Sequence, residues 1–185
     1  MNKIVLSLSL FLLLGTAVQA QKYFTREGKV SFFSETPVEN IEAHNGKATS
    51  VVDAESGKME FAILIKAFQF EKALMQEHFN ENYMESSTYP KASFKGQFDN
   101  WDSVDLTKDG TYPVDVSGDM TIHGVTQPVK AEGEIVVEDG KVKGHSTFNL
   151  TVADYDIEIP SVVRENIAKT VRVDVDVDYQ PLDRG

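Results

Sequence analysis

Four histidines are the side chains of this sequence with the most capacity for acid–base chemistry or metal binding. They are His44, His78, His123 and His145. None shares the close spacing that zinc sites use, and the chain has no cysteine that could complete such a site. His78 lies in a predicted helix, where it either faces solvent or touches the head group of a ligand, and His123 lies in a predicted turn. The histidines therefore predict no metal site.

The acidic side chains alternate with apolar ones, which is the spacing of a strand surface and not of an ion site. Valines separate Asp174, Asp176 and Asp178, whereas a calcium loop needs a glycine at its turn and a distal glutamate. Glu132 and Glu134 alternate in the same way. No serine lies in a nucleophile elbow, and no glycine-rich phosphate loop precedes a helix. We therefore predict no catalytic residues, no metal and no cofactor, and we do not expect an enzyme.

Alternating apolar residues predict the elements that carry these side chains. Between residues 112 and 152 nearly every second residue is apolar, with interruptions at His123-Gly124 and Asp139-Gly140. Because strand side chains alternate between two faces, this spacing predicts three successive antiparallel strands joined by hairpin turns. Similar stretches bring the total to about eight strands, over residues 29–34, 45–52, 58–66, 92–98, 112–122, 129–137, 142–152 and 170–179.

Two stretches break the strand pattern and predict helical segments. Residues 36–39 read TPVE, a capping-box pattern that predicts a brief helical turn. Residues 70–84 place Met75, Phe79 and Tyr83 at intervals of four, which aligns them on one helical face with the polar residues between them turned to water. Since the third strand carries apolar groups on both faces, we expect this helix to cover its outer side.

Eight antiparallel strands form either a sandwich or an up-and-down barrel. Closure removes exposed edges, and eight strands enclose an interior just wide enough for side chains or for one slender ligand. We therefore predict an all-β fold, an eight-stranded antiparallel barrel with a helical lid and short helical turns. Glycines 96, 118, 133 and 144 fall on or near the inward rows, where they either bend the strands or leave space for a guest.

The first twenty residues have the pattern of a secretory signal peptide. Lys3 precedes an apolar run over residues 4–14, and residues 18–20 (VQA) resemble a small-residue cleavage site. We therefore predict a signal peptide over residues 1–20, one barrel domain over residues 21–185, and a periplasmic or secreted location. Loss of Lys3 takes the net charge from −11 to −12, which disfavours a nucleic acid partner.

Two segments resemble landmarks of a known family. Residues 118–129 read GDMTIHGVTQPV, which resembles the G-x-L-T-I-H-G-V-T-x-x-V core of the YceI-like family. Residues 83–94 read YMESSTYPKASF and resemble the landmark in which a helix ends and a Tyr-Pro opens a strand. The resemblance implies a secreted or periplasmic, lipocalin-like barrel whose apolar tunnel in some members holds a polyisoprenoid chain such as a quinone tail. Residues 154–157 (DYDI) depart from the arginine and Asp-Tyr-Gly that the family often has there.

The inward rows supply candidate lining residues for such a tunnel, although each also has an interpretation as ordinary barrel core. They are Phe32, Phe61, Ile63, Phe94, Phe98, Val116, Met120, Ile122, Phe148 and Leu150, with Phe68, Met75 and Phe79 near the helical lid. One interpretation is a protein that carries or sequesters a long apolar lipid, of polyisoprenoid or quinone type. The other is a non-enzymatic interaction protein of envelope stress or respiration, with a side-chain-filled barrel. Transient membrane contact and a homodimer are both compatible with the sequence.

Overall fold

The computed structural model describes residues 21–182, most of which lie in strands. The strands are β1 (Lys22–Glu35), β2 (Asn40–Asp53), β3 (Lys58–Leu64), β4 (Gln69–Phe70), β5 (Lys91–Phe98), β6 (Gly110–Ile122), β7 (Val125–Glu138), β8 (Lys141–Thr151) and β9 (Thr170–Pro181). The helical segments are α1 (Ala73–His78), a π-helical turn (Phe79–Tyr83), and 3₁₀ turns at Ile65–Ala67, Trp101–Ser103, Val152–Tyr155 and Ser161–Val163. No helix within the described range is long and apolar enough to cross a membrane. The predicted signal peptide over residues 1–20 lies outside the described residues.

Eight long strands form one closed antiparallel barrel. Successive long strands pair with each other, and the first strand, β1, pairs with both β2 and the last strand, β9. The order around the closed ring is β1-β9-β8-β7-β6-β5-β3-β2. The two-residue β4 adds to β2 at Ala43 and His44, beyond the end of the β2–β3 pairing. The predicted up-and-down barrel is therefore confirmed, and the sandwich is excluded.

Two hairpin turns form at the two glycine-containing positions where the sequence predicts them. His123 and Gly124 have φ angles of 51° and 77°, and Asp139 and Gly140 have φ angles of 51° and 72°. Positive φ at both central residues is the geometry that a tight two-residue hairpin requires. These turns fix the register in which β6, β7 and β8 pair.

Residues 36–39 form the loop between β1 and β2, and the helical turn predicted there is wrong. The Thr36 hydroxyl accepts hydrogen bonds from the N–H groups of Val38 and Glu39, at 3.2 and 3.0 Å, and donates to the Glu39 carbonyl. The Thr36 N–H also donates to that carbonyl. The capping chemistry of threonine is therefore present, but it closes a tight loop because both flanking residues are already held in paired strands.

One end of the barrel interior is filled by side chains. The buried cluster there, called the plug below, consists of Val52, Phe98, Val114, Ile135, Val137, Val142, Val177 and Tyr179. Trp101 stacks on Phe98 with ring centroids 4.9 Å apart and donates its indole N–H to the Ala54 carbonyl. The hydroxyls of Tyr179 and Ser50 are hydrogen-bonded at 2.9 Å. The free space left at this end is about 10 Å³, which is too little for a ligand.

Two facing glycines let β5 and β6 approach each other closely. Gly96 and Gly118 are paired, and the Phe94 ring lies beside both of them. A Cβ atom on Gly96 would overlap the Ser117 carbonyl, and a Cβ atom on Gly118 would overlap the Lys95 carbonyl. The space beside these two glycines is therefore occupied by Phe94 and by backbone, and not by a guest.

The predicted helix over residues 70–84 is shorter than expected, and it is formed by α1 and the π-helical turn. These two segments together are called the lid (Ala73–Tyr83) below. Met75, Phe79 and Tyr83 are half-buried and face the barrel interior, as their spacing predicts. The lid lies over the mouth of the barrel and not on the outer side of β3, where Leu64 remains 49% exposed.

Two polar residues of the lid, Gln76 and Asn80, are half-buried although the sequence pattern turned them to water. The Gln76 side-chain oxygen accepts the Phe70 N–H at 3.2 Å, which joins the lid to β4. The Asn80 amide donates to the Gln76 carbonyl at 2.8 Å. That carbonyl is the acceptor that an α-helical N–H at position 80 would use, so this side chain favours the change from α- to π-helical pairing.

Candidate functional site

A cavity of about 890 Å³ occupies the barrel interior between the plug and the lid. Two apolar clusters border it, one centred on Val30, Ile63 and Phe68 and the other on Ile65 and Met84. Its volume lies within the range of roughly 300–1,000 Å³ that is typical of small-molecule sites. The interior is therefore filled at one end and hollow at the other, and a barrel filled along its whole length does not fit this geometry.

The structure brings most of the predicted lining residues to this one cavity. Those that line it are Phe32, Phe61, Ile63, Phe68, Met75, Phe79, Phe94, Val116, Met120, Ile122, Phe148 and Leu150. Phe98 does not line the cavity, because it lies in the plug beneath Trp101. Whether the lining residues contact a ligand stays a prediction.

Four phenylalanines form one aromatic cluster at the lid end of the cavity. Phe79 of the lid lies with its ring centroid 5.5 Å from Phe32, 5.5 Å from Phe68 and 5.0 Å from Phe70. Phe32 also meets Phe68 and Phe70 edge to face, at 5.4 and 5.8 Å. Centroid separations of about 4.5–7 Å are those of favourable ring pairs. The cluster therefore anchors the lid to β1, to β4 and to the segment that joins β3 to β4.

A single carboxylate joins the segments that cover the cavity. These segments, called the roof below, are the lid and the loop over residues 156–169. The Glu39 carboxylate accepts from the Lys72 ammonium at 3.3 Å and from the Asn166 amide at 3.2 Å. Lys72 directly precedes the lid, and Asn166 belongs to the loop over residues 156–169. Glu39, which the sequence pattern assigned to a helical turn, therefore links both of them to the β1–β2 loop.

The histidines do not converge on one point. His78 is exposed at the cavity rim, and His145 lies on the outer surface with its Nδ1 atom 2.8 Å from the Asp176 carboxylate. His123 occupies the β6–β7 turn as predicted, but its side chain is only 11% exposed. It packs edge to face on Tyr89, and its Nδ1 atom lies 3.2 Å from the Tyr155 carbonyl. Within residues 21–182, no group of three or more His, Asp or Glu side chains is placed to hold a metal ion.

The ionisable phenols beside the cavity stay neutral at physiological pH. Burial raises the pKa of the Tyr83 phenol above its usual value. Burial, and to a lesser degree the nearby Asp154 carboxylate, raises the pKa of Tyr155. The cavity wall is thus mainly apolar, with hydroxyl and amide groups and, among the residues that line it, the ionisable Glu39, His78, Lys130 and Asp154. A mainly apolar wall suits the holding of an apolar molecule.

Several residues that line the cavity were not predicted from the sequence. Ile157, Ile159, Val163 and Ile167 reach the cavity from the roof loop, which has neither strand nor helix periodicity. No local pattern could have found them. Val173 and Val175 also line the cavity, and they alternate along β9 with the acidic residues.

The comparisons with known proteins agree with this architecture. A YceI-like domain matches residues 19–179. The chain belongs to the YceI-like family. The UPF0312 protein VPA0850 of Vibrio parahaemolyticus is 31% identical over 84 residues, which span 42% of this chain and 41% of that protein.

Solved structures with the same fold are known at low sequence identity. A domain from Saccharophagus degradans, described as a polyisoprenoid binding domain implicated in plant cell wall breakdown, superposes with a TM-score of 0.73 at 15% identity and covers 89% of this chain and 100% of that one. BcnA of Burkholderia cenocepacia superposes with a TM-score of 0.68 at 15% identity, over 83% of this chain and 96% of that one. These likenesses establish the fold of this YceI-like protein.

Proposed function

We propose that this YceI-like protein binds a long apolar lipid, of polyisoprenoid or quinone type, inside the barrel. The observation that carries the proposal is the cavity of about 890 Å³ with its apolar wall. Such a cavity needs no special polar groups for affinity. A chain that buries about 400 Å² of apolar surface would gain roughly 10 kcal/mol at ~25 cal/mol per Å², before the costs of ordering and association.

We further propose that the role is carriage or sequestration outside the inner membrane, without catalysis. The signal-peptide pattern of residues 1–20 supports export. The description of the Saccharophagus degradans domain as polyisoprenoid binding supports the ligand class. Transient contact with a membrane would load and unload the protein, because a free polyisoprenoid is nearly insoluble in water.

The direct test is organic extraction of the purified protein followed by mass spectrometry. We expect a lipid with a long apolar chain in stoichiometric amount. The same protein, once stripped, should take up cis-parinaric acid, a polyene fatty acid whose fluorescence rises in apolar surroundings, and geranylgeraniol should displace it. Failure of the stripped, folded protein to bind either probe would contradict the proposal.

A matched pair of variants separates the cavity from the outer surface. Ala92 lines the cavity, whereas Lys91, its neighbour on β5, is exposed and faces outward. Ala92→Trp should reduce probe binding at least tenfold, because the indole fills part of the cavity, while Lys91→Trp should leave binding unchanged. Far-ultraviolet circular dichroism checks that both variants fold. Equal binding by both would contradict the proposed site.

A buried charge gives a second test of the same wall. Phe148→Asp places a carboxylate in the mainly apolar cavity, where ionisation is costly. We expect loss of probe uptake or of folding. Asp176→Asn on the outer face should have little effect on either. Uptake that survives the inward change and is lost in the outward one would show that the faces are assigned wrongly.

A further inference from the structure

The barrel wall has a long interruption between β7 and β8. Main-chain pairing of these strands runs from Glu138–Lys141 only as far as Gly133–Ser146, although both strands continue beyond that point. On their other sides the pairing is complete, since β6 follows β7 to the hairpin turn and β9 follows β8 through Thr151. The unpaired lengths, Val125–Glu132 of β7 and Thr147–Thr151 of β8, are called the seam below.

Two side-chain hydrogen bonds and one proline stand where main-chain hydrogen bonds would otherwise close the seam. The Ser146 hydroxyl donates to the Glu132 carbonyl at 2.6 Å, at the point where the next main-chain bond between the strands would form. At the opposite end the Gln127 amide donates to the Asp154 carbonyl at 2.9 Å. Between them lies Pro128, which has no N–H to offer to β8.

The position of Pro128 within its own pair agrees with an open seam. It is paired with Asp119 of β6, and a proline is tolerated in a ladder only where its nitrogen faces away from the bonded neighbour. The nitrogen of Pro128 therefore faces β8. Pro128 therefore favours the separation of β7 from β8 in the folded protein.

The cavity reaches the outside through this seam. Successive residues of a strand point to opposite faces, so outward residues do not normally border an internal space. Nevertheless Pro128, Lys130, Asn149 and Thr151, all on the outward face of β7 or β8, line the cavity together with their inward neighbours. Residues of both faces border one space only where that space passes between the strands.

The roof offers a less favourable route to the same cavity. Passage through it requires separation of Phe79 from three other rings and release of the bonds that Lys72 and Asn166 make to Glu39. Passage through the seam breaks no main-chain hydrogen bond between strands, because none is formed there.

We propose that the seam is a lateral portal through which a flexible apolar chain enters and leaves the cavity. This inference rests on the proposed function and adds the route to it. The molecule that fits such a portal is a long, thin hydrocarbon chain, which can slide sideways between two strands while the roof stays in place. A sideways route also lets the chain pass from a bilayer into the barrel along its length.

The test ties the seam shut with a covalent tether. The chain has no cysteine, so a short bis-maleimide reacts only with introduced thiols. Lys130→Cys combined with Asn149→Cys places one thiol on each side of the seam. Glu132→Cys combined with Thr147→Cys is a second seam pair, in case the first does not fold. Uptake and release of cis-parinaric acid are measured before and after tethering, so that each variant is its own reference.

We expect the tether to slow uptake by the empty protein at least tenfold. When the probe is loaded first, the tether should slow release at least tenfold as well. Slower release distinguishes a closed portal from a damaged cavity, which would release the probe faster. The control is Lys143→Cys combined with Asp178→Cys, a paired and exposed position of β8 and β9 outside the cavity, where tethering should leave both rates unchanged.

Two results would overturn the portal while the proposed function stands. One is equal uptake by the tethered and untethered seam variants. The other is a block that appears only when Glu39→Cys and Lys72→Cys are tethered across the roof, which would make the roof the entrance. If the untethered, folded protein takes up no probe at all, the proposed function fails, and the portal fails with it.

Discussion

Removal of the Phe79 ring should detach the lid and leave the barrel folded. The lid helix α1 has six residues, none of them buried, and no side-chain cap at its start. A helix of this length is not stable alone in water. Phe79 is its main apolar anchor, since it meets three other phenylalanine rings within 5.5 Å. Phe79→Ala therefore removes most of the apolar contacts that hold the lid against the barrel.

The size of the effect follows from these contacts. Ring pairs contribute about 0.5–1.5 kcal/mol each beyond area burial, and full burial makes a Phe→Ala change cost about 3–5 kcal/mol. Because Phe79 is half-buried, we expect a loss of about 2–3 kcal/mol. At 1.4 kcal/mol for each factor of ten, the open lid becomes roughly 30- to 150-fold more populated.

Hydrogen exchange of the lid amides measures this population directly, because locally opened segments exchange through their own equilibrium. The Gln76 amide, in the lid, donates to the Lys72 carbonyl, and the Met84 amide, directly after the lid, donates to the Phe79 carbonyl. Both amides should lose protection by that factor. Amides of the β6–β7 ladder should change much less. Leu74→Ala is the matched control on the same helix, since Leu74 is 61% exposed. Equal loss of lid protection in both variants would refute the anchoring role of Phe79.

The remaining predictions concern the plug and the paired glycines. Burial raises the pKa of the Tyr179 phenol from its usual value near 10 to about 12, so its neutral form contributes stability that is complete below about pH 10 and is lost as the pH rises through about 12. A shift of two units is about 3 kcal/mol, and denaturant titrations between these pH values should show a larger loss in the wild type than in Tyr179→Phe, which keeps the raised pKa values of Tyr83 and Tyr155; a parallel loss in both would contradict it. Gly118→Ala should cost about 1–3 kcal/mol by overpacking, because its Cβ would meet the Lys95 carbonyl and Gly96. Gly46→Ala, where a Cβ meets nothing within 4 Å, should be neutral or slightly stabilising, and equal melting temperatures for the two variants would rule out the close approach of β5 and β6.

The barrel was predictable from sequence because its determinants are local. A strand with one buried face must alternate apolar and polar residues, and β9 does so from Val171 to Tyr179. The turns at His123-Gly124 and Asp139-Gly140 carry their own conformational signal. The inward rows of the strands therefore supplied most of the cavity wall, and the family landmarks at residues 83–94 and 118–129 agreed with them.

Other features depend on residues far apart in the chain. Phe94 and Phe98 lie on the same face of β5, yet one borders the cavity and the other packs under Trp101. Thr36 has the chemistry of a helix cap but closes a loop, because paired strands on both sides fix its surroundings. No pattern within either segment distinguishes these outcomes.

The sequence by itself determined the alternation of apolar and polar residues, the tight turns and the number of long strands, since each of these properties is encoded in the spacing of neighbouring residues. Closure into a barrel was favoured by the sequence and established by the pairing of β1 with β2. Only the tertiary structure decided which end of the barrel interior is filled by side chains and which end is hollow. The plug exists because Trp101 and Tyr179 reach the same end of the barrel, and the seam exists because Ser146 bonds the Glu132 carbonyl where β7 and β8 part. Packing volume and strand separation are set by side chains that contact each other across the barrel. The spacing of residues within one strand does not predict those contacts.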